Sequence, residues 1–256
     1  MKFAIFTKID KDVSAVEKIV TDACSKKGFV LDKENPDVVF VLGGDGTFLR
    51  SIHHYLDKLD SIQFVGVNCG TLGFFYEFGE SDVSHIVDII DRHDYKEESH
   101  KLIECDLNDK TIYAANEIRF ENPFHTLVCT VTVNGEELEK FHGNGLLVCN
   151  ELGSTAYNKS LGGAVIAHDI DVLQLTEIST IQNNLFRSLG SSLITNPDSV
   201  FTFKGDFSKV VIGYDHLTCD CNGADFIKVR GSNKKVRIIH EQSYSYLSNI
   251  KRSFIK

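Results

Sequence analysis

The chain has 256 residues, room for one large domain or two modest ones. Hydrophobic residues at 42% and charged residues at 25% exclude wholesale disorder. The formal net charge of −9 argues against a nucleic-acid binder, which normally presents a basic face, but leaves small anions open, since backbone N–H groups bind phosphate whatever the total charge.

Lys2–Phe6 is a short apolar run suited to a buried strand. From Asp12 to Lys27 the apolar residues Val13, Val16, Val20 and Ala23 recur at three- and four-residue steps, which predicts a helix. Ser14 and Glu17 have capping-box spacing, and Gly28 stands where a helix C-cap belongs. Asp37–Leu42 is β-branched and apolar and runs into Gly43-Gly44-Asp45-Gly46-Thr47, then a helical pattern through Phe48, Leu49, Ile52 and Leu56. Ile62–Val67 reads as another strand and Ser81 to His93 as another helix. Strand and helix in alternation imply a parallel sheet covered by helices, a Rossmann-like α/β domain over 1–97.

Beyond the charged stretch Lys96–Lys101 the pattern changes to short β-rich segments: Thr111–Phe120, Leu127–Val133, Glu137–Phe141, Leu146–Cys149, Val200–Lys204, Lys209–Tyr214 and Lys235–His240. Asn134-Gly135 between two of them is a hairpin turn signal, since both turn residues need positive φ. Residues 98–256 therefore read as a predominantly β, sandwich-like domain with one helical stretch around Leu185–Leu189, its C-terminal tail free to pack back on the first domain. No run approaches the ~18 apolar residues of a membrane span, and the apolar start of the chain is too short for a secretory signal. The seven cysteines are scattered without a CxxC pair, the pattern of reduced thiols in a cytoplasmic protein. Cys219 and Cys221 have the look of half a metal site without partners.

Gly43–Thr47 carries the most information. Two glycines at a strand end let the backbone turn and approach a ligand, and a helix starting beside them offers free N–H groups to an anion such as phosphate. Asp45 among these donors repels phosphate. It implies a cation, a substrate hydroxyl whose proton it takes, or simply a helix cap. Asn116-Glu117 lies in a strand-like run, where a buried Glu needs either a ligand hydroxyl or an ion pair such as Arg119. Gly143-Asn144-Gly145 and Gly153-Ser154-Thr155-Ala156-Tyr157 bracket a strand, and read as a nucleotide-binding loop or as a turn-rich corner.

Taken together, these blocks resemble the bacterial NAD kinase family over nearly the whole chain. They are GGDGTFL at Gly43–Leu49, GVNCGTLGF at Gly66–Phe74, Asn116-Glu117, GNGLLVCNELGSTAYNKSLGG at Gly143–Gly163, Gln174-Leu175-Thr176-Glu177 and Tyr214-Asp215-His216. The resemblance implies an active site in the cleft between an α/β and a β-rich domain. It also implies phosphoryl transfer from ATP or polyphosphate to the adenosine 2′-hydroxyl of NAD, giving NADP. Asp45 would be the general base and, with Gly46, a contact to NAD, with Gly43, Gly44, Gly46 and Thr47 around the phosphates. Asn116 and Glu117 would hold the adenosine half, while Thr155, Ala156, Tyr157, Asn158, Lys159 and Ser160 would line the nucleosides. His142, Asn144, Ser179 and His216 fall where members contact NAD. Mg²⁺ or another divalent cation would arrive with the nucleotide, and the assembly would be a homodimer or homotetramer; Tyr244, Tyr246 and Phe254 either pack at its interface or close the C-terminal edge of the β domain.

Four positions depart from the family pattern. Asn144 stands for its usual Asp, Asn150-Glu151 for Thr-Pro, Thr71 for a His, and His142 for a frequent Arg. Two other functions compete. One is a lipid kinase, since GGDGT recurs in diacylglycerol and sphingoid kinases; the other is a non-catalytic NAD(P) sensor.

Overall fold

The computed structural model describes residues 1–7, 12–70, 73–108, 110–221 and 223–255. In chain order its first elements are β1 (Lys2–Thr7), α1 (Ser14–Lys26), β2 (Val30–Leu31), β3 (Val38–Gly43), α2 (Asp45–His54), β4 (Gln63–Asn68), β5 (Phe78–Gly79), α3 (Val83–Arg92) and β6 (Lys96–Leu107). Then come β7 (Lys110–Ala114), β8 (Glu117–Glu121), β9 (Leu127–Val133), β10 (Glu136–Gly143), β11 (Gly145–Cys149), the short α4 (Tyr157–Ser160) and β12 (Leu173–Ile178). The last are β13 (Leu193–Thr195), β14 (Phe201–Gly205), β15 (Val211–Tyr214), β16 (Leu217–Asp220), β17 (Ile227–His240) and α5 (Tyr246–Phe254). No helix among the described residues is long and apolar enough to cross a membrane.

The chain divides into two compact units, Met1–Ser99 with Lys235–Lys256, and His100–Lys234. In the first, β2, β1, β3 and β4 form a parallel sheet in that order, and β5 and the end of β17 pair in parallel with β4. Parallel strands need both faces covered. Phe40, Leu42 and Val65 pack in one cluster with Val16, Val20 and Cys24 of α1 and Ile86, Val87 and Ile90 of α3. On α2, the Phe48 ring lies 6.0 Å from Phe64 and stacks on Phe75 at 4.8 Å. Residues 235–256 are part of this unit. Ile238 pairs with Phe64 on β4, and α5 hydrogen-bonds to the carbonyls of Phe74 and Tyr76. Tyr244 stacks on His240 at 3.8 Å, and the Tyr246 and Phe254 rings each lie 6.0 Å from Phe74. The three aromatic residues of the tail are thus engaged within their own unit.

The second unit is antiparallel. A six-stranded sheet runs β13-β12-β11-β8-β15-β16, and β10, β9, β14 and the start of β17 form another set of antiparallel pairs. One apolar cluster joins them, with Phe120, Leu146, Val148 and Ile212 from the first set and Val131, Phe141, Phe203 and Val229 from the second. Rings of Phe120 and Phe203 lie 4.5 Å apart across it. Asn134 and Gly135, at φ 52° and 87°, form the two-residue turn between β9 and β10.

Three local expectations change. The Ser14–Glu17 capping box does not form. Instead Ser14 N–H donates to Asp12 Oδ1 at 3.0 Å and no side chain caps α1, while Gly28 does take positive φ, at 74°. No helix forms around Leu185–Leu189. There Asn183 Oδ1 accepts from Leu185 N–H and Phe186 N–H, and Glu139 accepts from Leu189 N–H, which holds the segment irregular. Finally, Thr111–Phe120 is two strands, broken at Ala115-Asn116.

Candidate functional site

In the first unit the candidate site grows from the end of β3. A Cβ on Gly43 would meet Thr47 Oγ1 at 2.5 Å, so glycine is what lets the strand turn directly into α2. Gly44 is the helix N-cap, and its carbonyl accepts from Thr47 N–H (2.7 Å) and Phe48 N–H (3.2 Å). No side chain caps α2, so its first-turn N–H groups keep their affinity for an anion.

Asp45 begins the helix without capping it. Phe74 N–H donates to Asp45 Oδ2 at 2.9 Å and Phe75 N–H to Oδ1 at 3.0 Å. Each carboxylate oxygen has two lone pairs, so this strap fixes the side chain while leaving acceptor capacity on both. Gly73 makes the approach possible, because a Cβ there would meet Asp45 Oδ1 at 2.5 Å. Tyr76 closes the arrangement, its hydroxyl donating to the Gly44 carbonyl at 2.9 Å. Burial, and then the charge of Asp45, raise the Tyr76 phenol well above its ordinary range, so it stays a neutral donor.

In the second unit the strand break at Ala115-Asn116 has a specific cause. Asp215, in the β15–β16 turn with φ 50°, accepts from Ala115 N–H (2.8 Å) and Asn116 N–H (2.7 Å). These two donors are thereby lost to the ladder. Glu117 follows, 5% exposed. Its Oε1 pairs with Arg119 Nη1 at 3.2 Å, while Glu117 Oε2 and Asn116 Oδ1 are buried with no hydrogen-bond partner among the described residues. Buried acceptors of this kind are uncommon and call for a donor. Burial first, and the Asp215 charge second, push the Glu117 carboxyl up to about 7 against the opposing pull of Arg119.

The turn Gly153–Thr155 presses against this pair. A Cβ on Gly153 would lie 1.9 Å from the Asn116 carbonyl oxygen. Tyr157 is tied to the same network. Its hydroxyl donates to Glu121 at 3.3 Å, the Arg119 guanidinium sits 5.5 Å from its ring centroid, and Arg119 also pairs with Glu121 at 3.1 Å.

A profile of the ATP-NAD kinase N-terminal domain matches residues 9–95. NAD kinase 1 of Bacillus cereus is 33% identical over 262 residues, spanning 100% of this chain and 99% of its own. The chain belongs to the NAD kinase family. NAD kinase of Lactobacillus acidophilus is 34% identical over 98% of the chain and 94% of its own length. Among solved structures the fold is shared with yeast NADH kinase complexed with NADH, at TM-score 0.85 and 17% identity over 98% of this chain and 86% of that one. It is also shared with the NAD kinase from Archaeoglobus fulgidus in complex with ATP, at TM-score 0.79 and 19% identity over 99% and 97%.

The remaining positions singled out by the NAD kinase resemblance fall into two groups within the second unit. The turn Gly153–Thr155 approaches Asn116 through Gly153, and Tyr157 reaches Glu117 through Arg119, with half-buried Thr155 and Ala156 between them and exposed Lys159 and Ser160 one turn on. Asn158 faces inward. Its amide donates to the carbonyls of Ser154 (3.1 Å) and Ala164 (3.2 Å), and its Oδ1 accepts from Thr176 Oγ1 at 2.7 Å, so it holds the loop's shape.

His142, Asn144 and Ser179 gather at the other end of the sheet, where Ile181 N–H donates to the His142 carbonyl and Asn144 N–H to that of Ile178. The His142 ring stacks on Phe186 at 4.1 Å. Asn144 Nδ2 donates to the Asn122 carbonyl at 3.1 Å, a bond the family's usual Asp cannot make. Ser179, at φ 49°, lines a recess of about 290 Å³ with Thr176, Glu177, Thr180 and Gly190. His216 is exposed beside Asp215 in the turn. Thr71 lies outside the described residues.

Asn150-Glu151, one of the departures the sequence showed, is tied down at both residues. Asn150 Oδ1 accepts from Gly153 N–H (3.0 Å), its amide donates to the Lys101 carbonyl (2.8 Å), and buried Glu151 pairs with His100 Nδ1 at 2.9 Å. The Glu117–Arg119 pair is the ion pair the sequence offered, but three supports escaped sequence reasoning: Asp215 as acceptor of the Ala115 and Asn116 N–H groups, the reach of Arg119 on to Tyr157 and Glu121, and the Phe74–Phe75 strap. The only available signals were Asp in Tyr214-Asp215-His216 and Gly73 in the second block.

Proposed function

We propose that this protein is an NAD kinase. It transfers the γ-phosphoryl of ATP, or a terminal phosphoryl of polyphosphate, to the adenosine 2′-hydroxyl of NAD. In the reaction the 2′-oxygen attacks phosphorus, the bond to the leaving phosphate oxygen breaks, and Asp45 takes the hydroxyl proton. ADP leaves, or a shortened polyphosphate when that is the donor. The observation that carries the reading is the Asp45 carboxylate, set beside an uncapped helix start and held by Phe74 and Phe75 instead of capping its own helix. A carboxylate so placed beside an anion site is spent on orienting a hydroxyl, and phosphoryl transfer is mostly positioning plus charge neutralisation.

Asn116 and Glu117 take the adenosine, their unpartnered buried oxygens accepting ribose or base donors, with Thr155, Ala156 and Tyr157 beside them. His142, Asn144, Ser179 and His216 serve the other nucleoside. Mg²⁺ comes as the metal of Mg-ATP and keeps several waters, as this ion usually does. The enzyme works in the cytoplasm as a homodimer or homotetramer, and its seven free cysteines accord with a reducing compartment. Support for NAD over a lipid as acceptor comes from the full-length match to relatives named NAD kinase and from the GSTAY block.

The test is a coupled assay for NADP formation with NAD across ATP, polyphosphate and other donors. NADP should accumulate with at least one of them, and Asp45→Asn should lower kcat by roughly 10²–10⁴, the usual worth of a general base. NAD binding without any donor consumption would favour a sensor, and phosphorylation of a lipid in place of NAD would favour the lipid kinase.

A further inference from the structure

Asp45 is fixed by a strap that α5 in turn holds. Of the strap residues 74–76, two N–H groups point to Asp45: those of Phe74 and Phe75, at 2.9 and 3.0 Å. Two carbonyls of the same residues go to α5. Asn249 Nδ2 donates to the Phe74 carbonyl at 2.8 Å, and Arg252 Nη2 donates to the Tyr76 carbonyl at 2.5 Å. Arg252 Nη2 also donates to Asn249 Oδ1 at 2.8 Å, so the two side chains brace each other. Asn249 is only 4% exposed. The Phe74 ring sits between Tyr246 and Phe254 of the same helix, 6.0 Å from each.

A peptide strap that donates on one edge and accepts on the other is a transmission element. The Phe74 carbonyl and the Phe75 N–H belong to one planar peptide unit, so moving the carbonyl that Asn249 holds moves the N–H that binds Asp45 Oδ1. Arg252 holds the Tyr76 carbonyl two units further on and acts by bracing Asn249 Oδ1. We propose that Asn249 and Arg252, near the end of the chain, are positioning residues that set the Asp45 carboxylate through residues 74–76. This rests on the reading of Asp45 as the base. A carboxylate displaced by about 1 Å loses catalytic geometry by up to ~10²-fold, while substrate affinity, made elsewhere, is kept.

The test uses the full-length enzyme and the NADP-forming assay. Asn249→Asp is the sharpest change: it keeps the size and the Arg252 partner but turns the donor facing the Phe74 carbonyl into an acceptor. Arg252→Met removes the donors and keeps the aliphatic stem. Each should lower kcat by about 10-fold or more with the KM for NAD within about 2-fold, and Arg252→Lys should restore most of the loss at the second position.

In an Asp45→Asn background the same substitutions should cost less than about 2-fold, since a displaced base that is already absent cannot be displaced again. A change in KM with kcat kept, no rescue by Lys, or equal losses with and without Asp45 would overturn the positioning role alone. Asp45→Asn with wild-type kcat would instead remove the base assignment itself. Should Arg252→Met fail to fold, Asn249→Asp and Arg252→Lys carry the same cycle.

Discussion

Replacing Glu117 by Gln gives the most quantitative check on the second unit. The carboxyl is buried beside Asp215 and lifted from its ordinary 4.5 to about 7. The native state therefore holds a proton between pH 4.5 and about 7 that the unfolded chain has already released. Stability then falls as pH rises through that window and stays lowered above it. At about 1.4 kcal/mol per tenfold change, the full difference is worth about 3 kcal/mol, of which about 2.5 kcal/mol falls between pH 5 and pH 8. Gln keeps the shape and never ionises, and Arg119 keeps its second partner Glu121 at 3.1 Å.

Calorimetric melts of the two proteins from pH 5 to pH 8 isolate the effect, since every other titrating group is common to both. The difference in stability between Gln variant and wild type should grow in favour of Gln by about 2–3 kcal/mol over this range, or roughly 5–10 °C in melting temperature. Parallel pH dependences would refute the account of Glu117 as a buried carboxyl strained by Asp215. The same proton lets the group either donate to or accept from a ribose hydroxyl near neutral pH, so NAD affinity in wild type should vary with pH over this window and in Glu117→Gln should not.

Gly73→Ala places a methyl 2.5 Å from Asp45 Oδ1 and 2.8 Å from the Tyr76 ring; kcat for NADP formation should fall by at least 10-fold with little change in NAD affinity measured by calorimetry. Asp215→Asn leaves one of the Ala115 and Asn116 N–H donors facing an amide NH₂, which should cost about 1–3 kcal/mol in urea unfolding and weaken NAD binding by moving Asn116. Gly153→Ala forces a Cβ to within 1.9 Å of the Asn116 carbonyl oxygen, so the variant should lose both stability and NAD binding, whereas Gly44→Ala, with open space around its Cβ, should fold normally.

The parts of this architecture legible in the sequence are those set by local chemistry. Val38–Gly43 is apolar on both faces, as a central parallel strand must be, and Asn134-Gly135 marks its hairpin by the positive φ both residues take. Local rules misled where a side chain had a better partner. The N–H of Ser14 went to Asp12, so the capping box its spacing suggested was never needed, and Asn183 with Glu139 and Glu177 captured the segment that periodicity marked as helical.

The candidate site divides the same way. Its residue types were visible because GGDGT, Asn-Glu and GSTAY are contiguous. Their supports were not, since Asp45 finds Phe74 N–H 29 positions away and Asn116 N–H finds Asp215 at 99. No window of sequence contains such pairs, and Asp215 reads in isolation as an ordinary turn residue. The substitution Asn150-Glu151 was legible as a departure, but its compensation by His100, 51 positions away, emerges only when the strands are paired.

The most direct measurement of the central claim is a crystal structure of the enzyme with NAD bound. The account predicts the adenosine 2′-oxygen within about 3.2 Å of an Asp45 carboxylate oxygen, or one water away, with the Phe74 and Phe75 N–H bonds retained. An NAD molecule whose 2′-hydroxyl lies against a different base, with Asp45 out of reach, would contradict it.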